Sequence, residues 1–433
     1  MSDKNWVDVF PDNWDLVRFS KVYRFYRGLD IKKQNLSDHG LPVISYGQIH
    51  AKDNPGVCVS GPHIRYIPEE FVKESQVERA LLDEGDIVFA DTSEDIEGAG
   101  NMVRAAGEDA LYAGYHTLIA RPSPGFRHEY MAYQMISPVW RQQIQRSVQG
   151  VKVYSVTQRL FNDVTILQPP FEEQRTIAEF LKSKTTEIDG LIERMAREVD
   201  LLERYRRELI ARTVTRGLDP DVPMRDSGID WIGMAPAVWK TASISVVTDE
   251  NRVKNADLSE KNLLSLSYGR IIRKDIDLAF GLLPASFDSY QIVEPGDIVL
   301  RMTDLQNDKR SLRSALAKER GIITSAYISL KARGPILNEY LAWLLRCYDL
   351  AKVFYSLGGG VRQSASYKEI GKIPILVPSM EEQQNIVDFL EEKSAQIDSI
   401  IEGINRQIEL LGKYRKQVIN DVVTGKVRVG EVA

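Results

Sequence analysis

Three kinds of segment, each present twice, concentrate side chains suited to gripping a polyanion. The first begins at Arg301 and runs through Thr303, Gln306, Asn307, Lys309 and Arg310 to Arg313, directly after the strand-like Gly296-Asp297-Ile298-Val299. Its counterpart follows Gly85-Asp86-Ile87-Val88 and carries Thr92. Arg and Lys hold phosphates, whereas Thr, Gln and Asn reach base edges. The second is Gly358-Gly359-Gly360-Val361-Arg362-Gln363-Ser364, answered by Gly150-Val151-Lys152-Val153-Tyr154-Ser155. Its glycines let backbone approach a partner closely. The third is Tyr268-Gly269-Arg270 with Arg273 and Lys274, against Tyr46-Gly47-Gln48 with Lys52. Each alone reads equally well as a solvated polar loop. Their recurrence at matching places carries the nucleic-acid reading.

Other chemistries find little footing. Gln168-Pro169-Pro170-Phe171 loosely resembles the tetrapeptide that polarises an exocyclic amine on a flipped base. No glycine-rich strand-to-helix loop precedes it, and it abuts a helix start. No GxxxxGK[ST] phosphate loop occurs, which argues against ATP hydrolysis in this chain. His39, His50, His63, His116 and His128 form no ligand-spaced pair and all lie in the first half. Asp91, Glu94, Asp95 and Glu97 have no equivalent in the second half and read as a solvated loop. Cys58 and Cys347 build no metal quartet or disulfide framework, so a reduced, cytoplasmic setting is expected. No apolar run approaches the ~20 residues of a membrane helix, and no signal-peptide pattern opens the chain.

Long helices must position the binding segments. Shifted by 209 positions, residues 172–215 fall on 381–424 with 19 identities in 44 pairs, among them Asp189/Asp398 and Arg206/Arg415. Both copies open with proline and two glutamates, which suit the positive end of a helix dipole. Leu181, Thr185, Ile188, Ile192, Met195, Val199, Leu202, Arg206 and Leu209 alternate steps of four and three. Leu390, Ser394, Ile397, Ile401, Ile404, Ile408, Leu411, Arg415 and Val418 repeat those steps. That is a coiled-coil seam, closed by Gly217 and Gly425. Phe180, Tyr205, Phe389 and Tyr414 are further contacts expected within the helix pair or to a partner. A compact second half makes the two helices run antiparallel, with a globular half at each end. A parallel pair bridged by an extended linker and a homodimer zipper are the alternatives.

The expected fold class is α+β. Two mixed α/β domains, 1–169 and 239–378, alternate with helices 170–217 and 379–433 around a linker at 218–238. The two domains and two helices form a pseudo-twofold internal repeat. Strands are expected at 86–89 and 297–300, and amphipathic helices over 129–147 and 338–355. The formal net charge of −5 divides unevenly: +5 over 239–378 and −4 over 1–169. Neither half is basic enough to hold DNA tightly by electrostatics alone.

The whole chain resembles the specificity (S) subunit of a type I restriction–modification system. The resemblance rests on Pro169-Pro170-Phe171-Glu172-Glu173-Gln174 and Pro378-Ser379-Met380-Glu381-Glu382-Gln383, with the heptads after them. It rests also on Gly217-Leu218-Asp219-Pro220-Asp221-Val222-Pro223-Met224, Asp226-Ser227-Gly228-Ile229-Asp230-Trp231-Ile232-Gly233 and Pro236 with Trp239. Ser379 departs from the usual proline, and serine caps a helix start equally well. The resemblance implies a non-catalytic subunit that binds double-stranded DNA. Each domain would read one half of a bipartite, asymmetric site, and the helices would set the unread gap. Two modification subunits would carry S-adenosylmethionine and the adenine methylation. Restriction subunits would carry ATP, Mg and the translocase and nuclease activities, with no cofactor in this chain. A specificity protein serving a different modification or nuclease partner, and a coiled-coil scaffold that binds no DNA, are the competing readings.

Overall fold

The computed structural model describes residues 7, 9–59, 61–107, 110–124, 126–150, 152–275, 286–305, 312–357 and 364–429. The chain forms two compact units, one of Met1–Met195 with Arg406–Ala433, the other of Ala196–Asn405.

In the first unit, β1 (Tyr23–Arg27), β2 (Ile87–Ala90), β4 (Met102–Arg104) and β5 (Thr117–Pro122) make an antiparallel sheet in the order β1-β5-β2-β4; β3 (Thr92–Ser93) follows β2 directly. In the second unit, β7 (Thr248–Asn251), β10 (Ile298–Leu300), β11 (Ser314–Leu316) and β12 (Ile328–Ala332) repeat it as β7-β12-β10-β11. The central strands β2 and β10 are fully buried and read as unbroken apolar runs. A glycine starts each of them. Gly85 and Gly296 have φ of 90° and 97°, and a Cβ there would meet His128 or Asn338, the first residues of α1 (His128–Ile136) and α3 (Asn338–Leu350). Only glycine meets both the left-handed turn and the close helix. The next residue, Asp86 or Asp297, is buried beneath that turn and accepts the N–H of Asp83 or Glu294 at 3.0 Å.

The expected helix over 129–147 is two helices. Ser137 ends α1 and caps Pro138–Gln145, with proline at its first position. Likewise α3 stops at Leu350, and Lys352 at φ 63° turns the chain into a short 3-10 segment at Val353–Ser356.

The long helices are α2, Phe171–Arg216, and α4, Met380–Val423, each closed by a glycine of positive φ. In the first unit Ile177, Ala178 and Leu181 share a core with Ile419, Val422 and Val423, and Asp189 pairs with Arg415. In the second, Ile210 and Val214 share a core with Ile386, Val387 and Leu390, and Arg206 pairs with Asp398. As one helix ascends its partner descends, so the pairing is antiparallel in both units. Leu181, Ile188, Leu390, Ile397 and Ile404 are buried; Ile192, Met195, Val199, Leu202, Ile401, Ile408 and Leu411 are half-buried. Phe180 and Phe389 pack against the domain cores. Tyr205 and Tyr414 lie off the seam, 54% and 56% exposed.

Segment 218–238 is folded back, which removes the extended span a parallel pair would need. Met224–Asp226 pairs antiparallel with Met234–Pro236, and Ile229, Ala235 and Trp239 enter the second core. Trp239 donates its indole N–H to Glu382 at 2.8 Å and covers Gly217. Near the chain start, Trp14 covers Gly425 in the same way, beside the Asn13–Glu173 hydrogen bond of 3.2 Å. The repeat thus reaches into the N-terminal segment.

Candidate nucleic-acid interface

Both units join the same two candidate loops. In the first, Thr92 and Ser93 of β3 pair antiparallel with β6 (Tyr154–Ser155), and the Val156 N–H donates to the Asp91 carbonyl at 2.7 Å. In the second, the Ala365 N–H donates to the Met302 carbonyl at 2.9 Å. These are equivalent positions of the repeat, so Thr92 with Ser155 corresponds to Thr303 with Ser364. Ser155, Ser364 and Lys152 are exposed; Tyr154, Thr92 and Thr303 are half-buried. Thr303 and Ser364 line one cleft of about 530 Å³. Gln306, Asn307, Lys309, Arg310, Arg362 and Gln363 lie outside the described residues.

Arg313 corrects an expectation. Its side chain is fully buried, and its guanidinium donates to the carbonyls of Thr303 at 2.7 Å and Asp304 at 2.9 Å. Its own N–H donates to Asp349, whose carboxyl burial pushes upward in pKa. A guanidinium satisfied this way holds the loop in shape and offers nothing to a phosphate.

The third segment diverges between the units. Tyr268 and Gly269, at φ 44° and 74°, form the two-residue turn between β8 (Leu264–Ser267) and β9 (Arg270–Arg273). Two positive φ values are what a tight hairpin of this twist requires. Tyr268 is 76% exposed at the tip. The hairpin faces α3 and α4: Arg346 donates to the Gly269 and Ser314 carbonyls, and Arg270 lies 3.6 Å from Asp398. Arg273 pairs with Glu319, whose carboxyl is held below its usual pKa by those hydrogen bonds; Lys274 is exposed. This segment therefore stands apart from Thr303 and Ser364. Tyr46 instead opens a one-turn helix, Tyr46–Ile49, and Gln48 accepts the Ser45 N–H at 3.2 Å, which commits its amide oxygen to capping.

In the first unit the third segment does join the others. His50 Nε2 donates to the Thr92 carbonyl at 2.9 Å, Asn101 reaches His50 Nδ1 at 3.0 Å, and the Tyr46 ring leans on the imidazole. Tyr46 and Lys52 line a cleft of about 720 Å³ with Ser93 and Arg141. His50 and Asn101 had no local signal, because their roles arise from contacts 42 and 51 residues away. Arg141 donates to the Glu97 and Ala99 carbonyls and pins the acidic loop. Among the described residues no three His, Cys, Asp or Glu side chains converge as metal ligands, and no helix is long and apolar enough to cross a membrane.

Each unit is an α/β fold that brings two polar loops together beyond the end of one sheet, and the second repeats the first. Residues 318–410 match the family described as the type I restriction modification DNA specificity domain. Over 98% of this chain and 96% of the relative, the sequence is 21% identical to a putative type I restriction enzyme MjaX specificity subunit from Methanocaldococcus jannaschii. It is also 21% identical to the EcoKI specificity subunit of Escherichia coli K12, covering 96% of this chain and 90% of that one. A solved chain from a type I R-M system has a similar fold, with a TM-score of 0.69 at 15% identity, covering 97% of this chain and all of that one. The HsdS subunit of Thermoanaerobacter tengcongensis gives 0.52 at 16%, over 99% of this chain and all of its own. The chain is a homologue of the specificity subunits of type I restriction–modification systems.

Proposed function

We infer that this chain is the DNA-recognition subunit of a type I restriction–modification complex and is itself non-catalytic. Each unit reads one half of a bipartite, asymmetric site, and α2 with α4 sets the gap between them. The observation that carries this is the loop junction made twice, Asp91 to Val156 and Met302 to Ala365, by repeat-equivalent backbone bonds that keep the same Thr and Ser beside them (Thr92 and Ser155, Thr303 and Ser364) while the bonded residues themselves differ. Equivalent scaffolds bearing different side chains suit unlike half-sites.

Two modification subunits supply S-adenosylmethionine chemistry, and restriction subunits supply ATP- and Mg-dependent cleavage, all in the cytoplasm. The exposed pairs Leu201 with Tyr205 on α2 and Leu410 with Tyr414 on α4 favour docking of partners there. Each pair is four residues apart on one helix face, and the two pairs occupy equivalent repeat positions. Exposed aromatic and aliphatic side chains at such spacing suit a helical partner. Mapping methylated adenines in cells that express the chain with its partner subunits tests the reading. A two-part motif with a fixed gap is expected; a single continuous motif, or none that depends on this chain, overturns it.

A further inference from the structure

The reading loops are flanked in both units by cations that occupy equivalent places and that sequence motifs do not mark. Arg27 ends β1 and Arg252 directly follows β7. The ladder places Arg27 opposite Leu118 and Leu118 opposite Phe89, so Arg27 stands at the sheet end from which Asp91 and Thr92 leave. Asn251 is opposite Ser329 and Ser329 opposite Val299, which sets Arg252 at the sheet end from which Arg301 to Thr303 leave. The second cation follows the other loop. Arg159 comes four residues after Ser155, in the 3-10 turn Gln158–Asn162, and Lys368 four after Ser364, in the helical turn Tyr367–Ile370.

All four side chains are exposed. Among the described residues Arg27, Arg159 and Lys368 make no ion pair or side-chain hydrogen bond, and Arg252 pairs only with neighbouring Glu250, at 2.7 Å. In the second unit the cleft that holds Thr303 and Ser364 is also lined by Arg252 and Lys368. Most other arginines of that unit are engaged: Arg273, Arg313, Arg320, Arg333 and Arg346 all have carboxylate or carbonyl partners. Exposed cations on two sides of a polar cleft, Lys368 without an acidic partner among the described residues and Arg252 held only by its near neighbour Glu250, are placed to receive two phosphate groups.

We propose that Arg252 with Lys368, across the cleft of the second unit, and Arg27 with Arg159, at the repeat-equivalent positions beside the loops of the first, are the DNA-backbone contacts that hold the duplex. The proposal rests on the DNA-recognition reading above. Backbone contacts fix register without discriminating bases, and each releases counterions. The side chains between them are left to read sequence.

The test uses the assembled complex with its modification subunits. The variants are Arg27→Gln with Arg159→Gln, and Arg252→Gln with Lys368→Gln. Affinity for a duplex carrying the mapped motif and for a scrambled duplex is measured across a salt series. Each double variant is expected to weaken both duplexes by a similar factor, about 3- to 10-fold near physiological salt. The slope of log affinity against log salt should fall in magnitude by about 1.8, from about 0.9 per phosphate lost. Arg252→Lys with Lys368→Arg should keep the slope. Lys240→Gln, exposed beside Val377 at the other end of the unit, should leave both quantities unchanged. An unchanged slope, or an altered ratio between the two duplexes, overturns the proposal while the recognition reading stands. A wild-type complex that does not distinguish the duplexes overturns both.

Discussion

Asp189 accepts hydrogen bonds from Arg415 at 2.8 and 3.2 Å, and the same two repeat positions, with helices exchanged, pair Arg206 with Asp398 at 2.5 Å. A shift of 209 turns Asp189 into Asp398 and Arg206 into Arg415. One pairing rule therefore holds in both units, and only antiparallel helices satisfy it twice. Both carboxylates are about half exposed, so each pair is worth about 0.5–1 kcal/mol. Asp189→Arg should lower stability, and adding Arg415→Asp should recover most of the loss, whereas adding Arg206→Asp should not. A double-mutant cycle in denaturant measures the coupling.

If the helices set the gap, lengthening them moves the half-sites apart. Four residues inserted within 188–209, matched by four within 397–418, add about 6 Å. That is about two base pairs at about 3.4 Å each. The methylated motif should keep both half-sites and gain about two unread positions, as methylome sequencing would detect.

Tyr205 and Tyr414 contribute little to the helix seam. Changing both to Ser should leave the unfolding free energy of the chain within about 0.5 kcal/mol of its original value. The same change should weaken assembly with modification subunits about tenfold or more if these aromatics are anchors. Analytical ultracentrifugation of the mixed subunits distinguishes the two effects.

Arg313 supports from beneath the loop proposed to read DNA in the second unit. Arg313→Met leaves the Thr303 and Asp304 carbonyls without their donor and should cost about 3 kcal/mol. Fidelity at the half-site read by the second unit should fall, and the other half-site should be read as before. Comparing the methylation of degenerate sites shows which half has relaxed.

Asp86 gives a pH-dependent test. Burial raises its pKa, opposed by the hydrogen bonds that Arg121 donates from Nε and from NH2 at 2.8 Å. An acid whose folded pKa is raised takes up its proton on folding, so its contribution is greatest at low pH and is lost as pH rises through the folded value. Arg121→Met removes the opposing cation and raises that value further. The variant should therefore lose about 3–5 kcal/mol near pH 7 and distinctly less near pH 4, as urea unfolding at the two pH values would measure.

Much of the scaffold was legible because its signals are local and periodic. Four-three spacing specified the helices, Gly85 and Gly296 marked the turns into the buried strands, and a proline and glutamate pair marked each helix start. The match of Tyr46-Gly47 to Tyr268-Gly269 misled because two residues cannot distinguish a helical turn from a hairpin. The ladder behind them decides: Leu264–Ser267 finds a partner in Arg270–Arg273, while Leu41–Ile44 pairs elsewhere, with Arg65–Ile67. Arg313 misled for a related reason. A basic residue in a polar segment looks the same whether it faces water or buried backbone carbonyls.

The sequence by itself determined the duplication, the two long helices, the mixed α/β halves and the polar loops proposed to bind. Those features depend on residue type at short separations, where backbone geometry leaves few choices. Only the tertiary structure decided which loops meet, which of their cations are already paired and which remain open. Asp91 and Val156 are 65 residues apart, and Met302 and Ala365 are 63 apart; packing, not periodicity, brings each pair to one hydrogen bond.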